Sequence, residues 1–106
     1  MDKYIDDIKK FTDTVNTELV EKLVSRLSII LDNKDASLVS CSDETELETV
    51  KKNFVNSKLN ITDDTKADAA IKVVCEKMAD TKMKSRVTFY YLLAVELGAE
   101  STYINA

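Results

Sequence analysis

Three cations lie just before the apolar segment near the C-terminus and are the residues best suited to binding chemistry. Lys82, Lys84 and Arg86 alternate along the chain, and Ser85 stands between them as a predicted helix cap. The first amides of a helix carry partial positive charge, so cations at this point require a negative partner. Exposed amides with Lys84 and Arg86 are suited to hold a phosphate or carboxylate. The pattern therefore predicts a small-anion site at Lys82, Lys84, Ser85 and Arg86.

The alternative is that these cations pair with carboxylates of the same chain. Residues 1–48 carry six Lys and Arg against twelve Asp and Glu, whereas residues 49–106 carry nine against seven. The candidate internal partners are Glu44, Glu46, Glu48, Glu76 and Asp80. The net charge of −4 gives no broad basic surface, so nucleic acid is not an expected partner.

Residues for catalysis or metal binding are scarce. Histidine is absent, which removes the usual general base and metal ligand, and the single glycine cannot build a glycine-rich phosphate loop. The sequence therefore predicts a protein that is not an enzyme and that has no metal site and no cofactor.

The two cysteines, Cys41 and Cys75, are 34 residues apart and belong to no metal-binding or disulfide framework. We expect Cys75 to be a small buried apolar residue on its helix. A nucleophilic role for Cys41 is the alternative, although the acidic residues after it oppose a thiolate. With no export signal or membrane-spanning run, the prediction is a cytoplasmic protein in a reducing compartment.

Tyr90 and Tyr91 are adjacent, so on a helix their side chains point about 100° apart. One interpretation places both in the core with their hydroxyls at its rim. The other leaves one tyrosine exposed to anchor a homodimer or a partner helix.

Apolar residues recur at helical spacing in five segments, and proline is absent. The predicted helices begin near Asp2, after Asn16 or Thr17, at Asp43, at Thr62–Asp64 and at Ser85. Asp32–Asp35 ends the second helix, which has an apolar face reaching Leu31, and residues 36–39 are expected to form one more short turn.

The fifth segment, 87–97, is apolar on almost every side and stops at Gly98. We therefore predict an all-α fold, a compact bundle of about five helices in one domain over residues 1–106. The apolar C-terminal helix is central to it, and residues 99–106 form a short tail in which Tyr103 and Ile104 can dock.

Three ordered blocks, 41–54, 69–78 and 86–94, resemble the small bacterial proteins catalogued as domain of unknown function 2853. The resemblance implies a soluble, stand-alone bacterial domain. It implies no activity, cofactor or catalytic residue.

The functional prediction is a non-enzymatic cytoplasmic interaction module that binds a protein partner or a second copy of itself, without membrane association. The alternative is a sensor or binding domain for a small anion at the start of the last helix.

Overall fold

The computed structural model describes residues 2–33 and 36–106. Within these ranges the chain is mostly helical and compact, with a radius of gyration of 12.5 Å. The elements are α1 (Asp2–Ile8), α2 (Thr17–Arg26), α3 (Ser28–Leu31), β1 (Leu38–Val39), α4 (Glu44–Val50), a π-helical segment (Lys51–Asn56), α5 (Asp64–Lys77), β2 (Lys84–Ser85), α6 (Arg86–Glu96) and α7 (Glu100–Ile104). The predicted all-α fold is confirmed. Lys34 and Asp35, placed in the loop predicted to end the second helix, lie outside the described residues.

Helix α6 is the central element, as predicted. Every residue from Arg86 to Ala94 is buried, and α1, α2, α5 and α7 all pack against this helix. Gly98 lies just beyond the C-terminal end of α6 and has a φ of +63°. The amide of the next residue, Ala99, donates to the Ala94 carbonyl. Gly98 is therefore in the left-handed C′ position that glycine occupies at little cost.

Three of the outer helices start with a side-chain cap. Asn16 accepts a hydrogen bond from the Leu19 amide at the start of α2. Asp43 and Asp63 each accept from two amides at the starts of α4 and α5. The predicted helix starts at Asn16 and Asp43 are confirmed, and the cap of α5 is Asp63.

The prediction of one more short turn at residues 36–39 holds for Ala36 and Ser37 and is wrong for Leu38 and Val39, which form β1. Leu38 pairs with Ser85 and Val39 with Lys84 in an antiparallel strand pair, and the Arg86 amide donates to the Ser37 carbonyl at 2.8 Å. Through this pairing, β1 and β2 satisfy hydrogen-bonding groups of their backbones, which a single two-residue segment cannot do by itself. The pairing holds the chain before α4 against the start of α6.

The second predicted helix is shorter than its apolar pattern suggested. Leu27 caps α2 and the chain turns there into α3. The turn carries Ile29 and Ile30 away from the core, leaving Ile29 87% exposed and Ile30 40% exposed. Ile30, which helical spacing placed on the inner face, therefore leaves that face once the helix axis changes.

Two further segments complete the core. The π-helical segment after α4 buries the adjacent residues Phe54 and Val55. The predicted tail contains α7, where Tyr103 docks in the core as expected and is 2% exposed.

Candidate functional site

The structure divides the four residues of the predicted anion site among separate cavities. Lys82 and Lys84 line one cavity with both cysteines, whereas Arg86 lines another with Tyr90. Ser85 lies in β2 and caps α6 without a side-chain hydrogen bond. Lys82 and Lys84 therefore remain together, and the Arg86 side chain lines a different cavity.

Arg86 uses its guanidinium inside the protein. Its Nε donates to the Ala36 carbonyl at 2.7 Å, and one terminal nitrogen donates to the Leu38 carbonyl at 3.1 Å and to Glu46 Oε1 at 2.5 Å. The other donates to the Tyr90 hydroxyl at 2.9 Å. The alternative prediction, pairing with an acidic residue of the N-terminal half, is confirmed for Arg86 and Glu46.

Burial and charge act in opposite directions on this pair. Burial would lower the pKa of Arg86, but Tyr90 and Glu46 outweigh it and the pKa is raised above its usual value. Burial raises the pKa of Tyr90, and the positive charge of Arg86 opposes this only in part. At neutral pH both groups are therefore protonated hydrogen-bond donors.

We call the cavity beside this pair the arginine cavity. Its volume is about 620 Å³. It is lined by Arg26, Leu27, Ile30, Ala36, Thr49, Asn53, Phe54, Lys58, Arg86, Tyr90 and Tyr103. Stacked rings form part of its wall, since Phe54 and Tyr90 lie with centroids 4.0 Å apart at an interplanar angle of 15°.

Two cations of the arginine cavity have no Asp or Glu partner within the described chain. Arg26 lies over the Tyr103 ring at 4.7 Å and donates to main-chain oxygens of Tyr103, Ile104 and Ala106. Lys58 is exposed and forms no ion pair in residues 2–33 and 36–106. Burial raises the pKa of Tyr103, and Arg26 opposes this in part.

The described lining of the arginine cavity offers donors and apolar surface but no acidic side chain. Such a lining can hold the oxygens of an anion at its cationic edge while covering an apolar body. The sequence analysis did not predict Arg26, Lys58 and Tyr103 as site residues, because they come together only when α2, the loop after the π-helical segment and α7 pack.

Tyr90 and Tyr91 are both buried, at 6% and 2% exposure. The Tyr91 hydroxyl accepts a hydrogen bond from the Asn16 amide at 2.7 Å, joining α6 to the start of α2. Neither tyrosine projects from the surface as an anchor. This arrangement matches the interpretation that placed both in the core.

We call the cavity beside Lys82 and Lys84 the disulfide cavity, and its volume is about 570 Å³. Cys41 and Cys75 form a disulfide there, with Cα atoms 5.9 Å apart. The prediction of two unpaired cysteines is therefore wrong, and with it one argument for a reducing compartment. The disulfide joins Cys41 to Cys75 of α5 across 34 positions, a long-range contact that leaves no trace in the cysteine spacing.

A second cavity of about 540 Å³, which we call the acidic cavity, also contacts the disulfide. Its lining includes both cysteines together with Glu44, Glu48, Asp68 and Lys72. Lys51 bridges two of these acids, with its ammonium 3.2 Å from Glu48 and 3.3 Å from Asp68. Hydrogen bonds to Glu48 and Asp68 raise the pKa of Lys51.

No group of three His, Cys, Asp or Glu side chains in the described residues is placed to hold a metal ion. In the same residues, none of the helices has the length and apolar character needed to cross a membrane.

The chain matches the family model described as protein of unknown function, DUF2853, over residues 3–101. It therefore belongs to this family, as the three sequence blocks suggested. No curated protein matches the chain.

Proposed function

We propose that this member of a family without an assigned function is a non-enzymatic binding module for an amphipathic organic anion, which it holds in the arginine cavity. The observation that carries the proposal is the combination of an apolar cavity wall with two cations, Arg26 and Lys58, that have no Asp or Glu partner within the described chain. An apolar pocket with a few convergent polar groups is the usual form of a small-molecule site.

The chemistry of the cavity sets the class of ligand. The negatively charged group of the ligand, such as a carboxylate, would lie at the edge formed by Arg26 and Lys58. The apolar body of the ligand would lie against Leu27 and Ile30. The Tyr90 hydroxyl accepts from Arg86 and keeps its own proton to donate to a ligand oxygen. Arg86 supports the site by fixing Tyr90, since Glu46 already balances its charge.

Naphthalene derivatives that share one ring system and differ in charge provide the test. We expect 2-naphthoate to raise the melting temperature and 2-naphthylmethylammonium to leave it unchanged, with the neutral 2-naphthamide between them. At about −0.3 kcal/mol per atom, a ligand of about 13 non-hydrogen atoms binds with a Kd near 1 mM. At about 10 mM it would then stabilise the fold by about 1.4 kcal/mol.

Charge reversal at Lys58 tests the site itself. Lys58→Glu changes the charge at this position by two units. At about 7 Å from the naphthoate carboxylate in water, and after allowance for salt, we expect a threefold to sevenfold weaker affinity for naphthoate. Lys66→Glu is the matched control, since Lys66 is an exposed lysine that does not line the arginine cavity. Equal binding of the anionic and cationic probes, or equal weakening by both variants, would refute the proposal.

Association with a protein partner, or of two copies, is a second candidate function. Its support is the exposed apolar pair Ile29 and Ile30 on α3, beside the arginine cavity. Sedimentation of the protein at high concentration, with Ile29→Ser as the comparison, tests the homodimer. A monomer at every concentration in both proteins would exclude it. Cytoplasmic localisation stays a prediction.

A further inference from the structure

We infer that the Cys41–Cys75 disulfide is a thiol–disulfide exchange site that reacts with anionic thiols entering through the disulfide cavity. This inference is independent of the ligand proposed for the arginine cavity, because the two cavities share none of their lining residues.

The disulfide is accessible from the surface. Cys41 and Cys75 are both half-buried rather than enclosed in the core, and both line the disulfide cavity and the acidic cavity. Exchange requires a thiolate to reach one of the two sulfurs, which core disulfides do not permit.

The charges around the disulfide are arranged asymmetrically. The charged side chains that line the disulfide cavity are Lys82 and Lys84, and none of its described lining residues is acidic. Lys84 donates to the Thr81 carbonyl at 2.8 Å, which holds its ammonium group in place. Neither lysine forms an ion pair within the described chain.

The acidic cavity, which also has both cysteines in its lining, carries the opposite charge. Glu44, Glu48 and Asp68 line it. Lys51 pairs with Glu48 and Asp68 and Lys52 with Glu48, whereas Glu44 forms no ion pair within the described chain. A negatively charged thiolate is therefore attracted to the disulfide through the disulfide cavity and less favoured through the acidic cavity. From this asymmetry we expect the reactant to be a thiol that carries a negative charge in addition to that of its thiolate.

The reaction proceeds by two displacements. A thiolate RS⁻ forms a bond to one cysteine sulfur, the Cys41–Cys75 bond breaks, and the other cysteine leaves as a thiolate with the electron pair. A second RS⁻ attacks the substrate sulfur of the mixed disulfide and releases RSSR and the remaining cysteine thiolate. In total, two RSH are oxidised to RSSR, and the protein disulfide gains two electrons and two protons.

The experiment measures reduction of the native, oxidised protein by three thiols of different charge. Glutathione, 2-mercaptoethanol and cysteamine carry net charges of −2, −1 and 0 as thiolates, and rates are compared per thiolate to remove differences in thiol pKa. The mixed disulfide and the reduced protein are followed by mass spectrometry after acid quenching. We expect glutathione to react fastest in the wild-type protein, with a rate that falls as salt is added.

Charge reversal of the lysine pair supplies the matched variants. In Lys82→Glu/Lys84→Glu we expect glutathione to react on the order of tenfold more slowly, while the cysteamine rate does not fall. Lys66→Glu/Lys77→Glu is the control, with the same change in net charge at two exposed positions of α5. The salt dependence of the wild-type protein gives an independent readout if the double variant does not fold.

Each remaining outcome overturns the inference. Reduction only at the rate of global unfolding would show that thiols do not reach the bond in the native protein. The same rate per thiolate for all three thiols, or an equal effect of the test and control variants, would show that the lysines do not select the reactant. Two free thiols in protein prepared under air would remove the site altogether.

Discussion

Replacing Arg86 with methionine is expected to cost this protein a large part of its stability. Arg86 is 8% exposed, and its guanidinium donates to two carbonyls, the Tyr90 hydroxyl and the Glu46 carboxylate. Methionine keeps the apolar stem but leaves these four acceptors without their donor. Removing one member of a buried ion pair costs about 3–5 kcal/mol.

The structure places the expected loss at the lower end of that range. The Glu46 side chain is 24% exposed, so water can hydrate its carboxylate after the arginine is removed. We therefore expect a loss of about 3 kcal/mol, which corresponds to a fall in Tm of about 12–24 °C for a domain of this size. Urea denaturation followed by circular dichroism at 222 nm measures the free energy of unfolding, and an unchanged m-value shows that the unfolding reaction is the same.

Arg26→Met is the matched control, because Arg26 also donates to backbone carbonyls and stacks on a tyrosine but lies at the surface. Its expected cost is about 1 kcal/mol or less. Adding Glu46→Leu to Arg86→Met removes the stranded carboxylate and should recover part of the loss, with a coupling energy of about 1–3 kcal/mol. A loss below about 1 kcal/mol for Arg86→Met, or a loss equal to that of Arg26→Met, would refute this account of the buried pair.

Two further predictions concern the tyrosines. Burial raises the pKa of Tyr90 and Tyr103 in the folded state, so the unfolded chain releases these protons first as pH rises. Stability should therefore be fully present below a pH of about 10 and fall above it, as the pH rises through the raised pKa values of the folded state. Urea denaturation between pH 8 and 11 measures this, and stability that stays level or rises up to pH 11 would contradict it. Tyr91→Phe removes the acceptor of the Asn16 amide and should cost about 1–2 kcal/mol. Tyr4→Phe, at a partly exposed tyrosine, should change stability by less than about 0.5 kcal/mol in the same assay, and equal effects of the two changes would argue against a structural role for the Tyr91 hydroxyl.

The elements that local physics determines were predictable from the sequence. The apolar segment at 87–97 had no polar face to expose, and α6 is buried over nine consecutive residues from Arg86 to Ala94. Asn16 and Asp43 cap the helices that follow them because an oxygen one residue before a helix satisfies amides that the helix leaves free. Each of these predictions depends on residues within a few positions of one another.

The features that remained unpredicted depend on contacts between distant parts of the chain. The strand pairing of Leu38 with Ser85 joins residues 47 positions apart, and the disulfide joins cysteines that are 34 positions apart. Neither pattern is strong locally, since two residues make no strand signal and two lone cysteines make no framework. The arginine cavity likewise draws Arg26 and Tyr103 from elements that are 77 residues apart in the sequence.

The division of the predicted anion cluster has a local cause that lies at the junction of β2 and α6. In an extended strand, residues two apart project on the same side, which would group Lys82, Lys84 and Arg86. Arg86 is instead the first residue of the helix, so the change of backbone conformation after Ser85 carries its side chain to Glu46. Lys82 and Lys84 stay beside the disulfide, without a described carboxylate partner. One junction thus separates a structural cation from two cations that are available to an incoming anion, and this separation makes the two proposed activities testable by different substitutions.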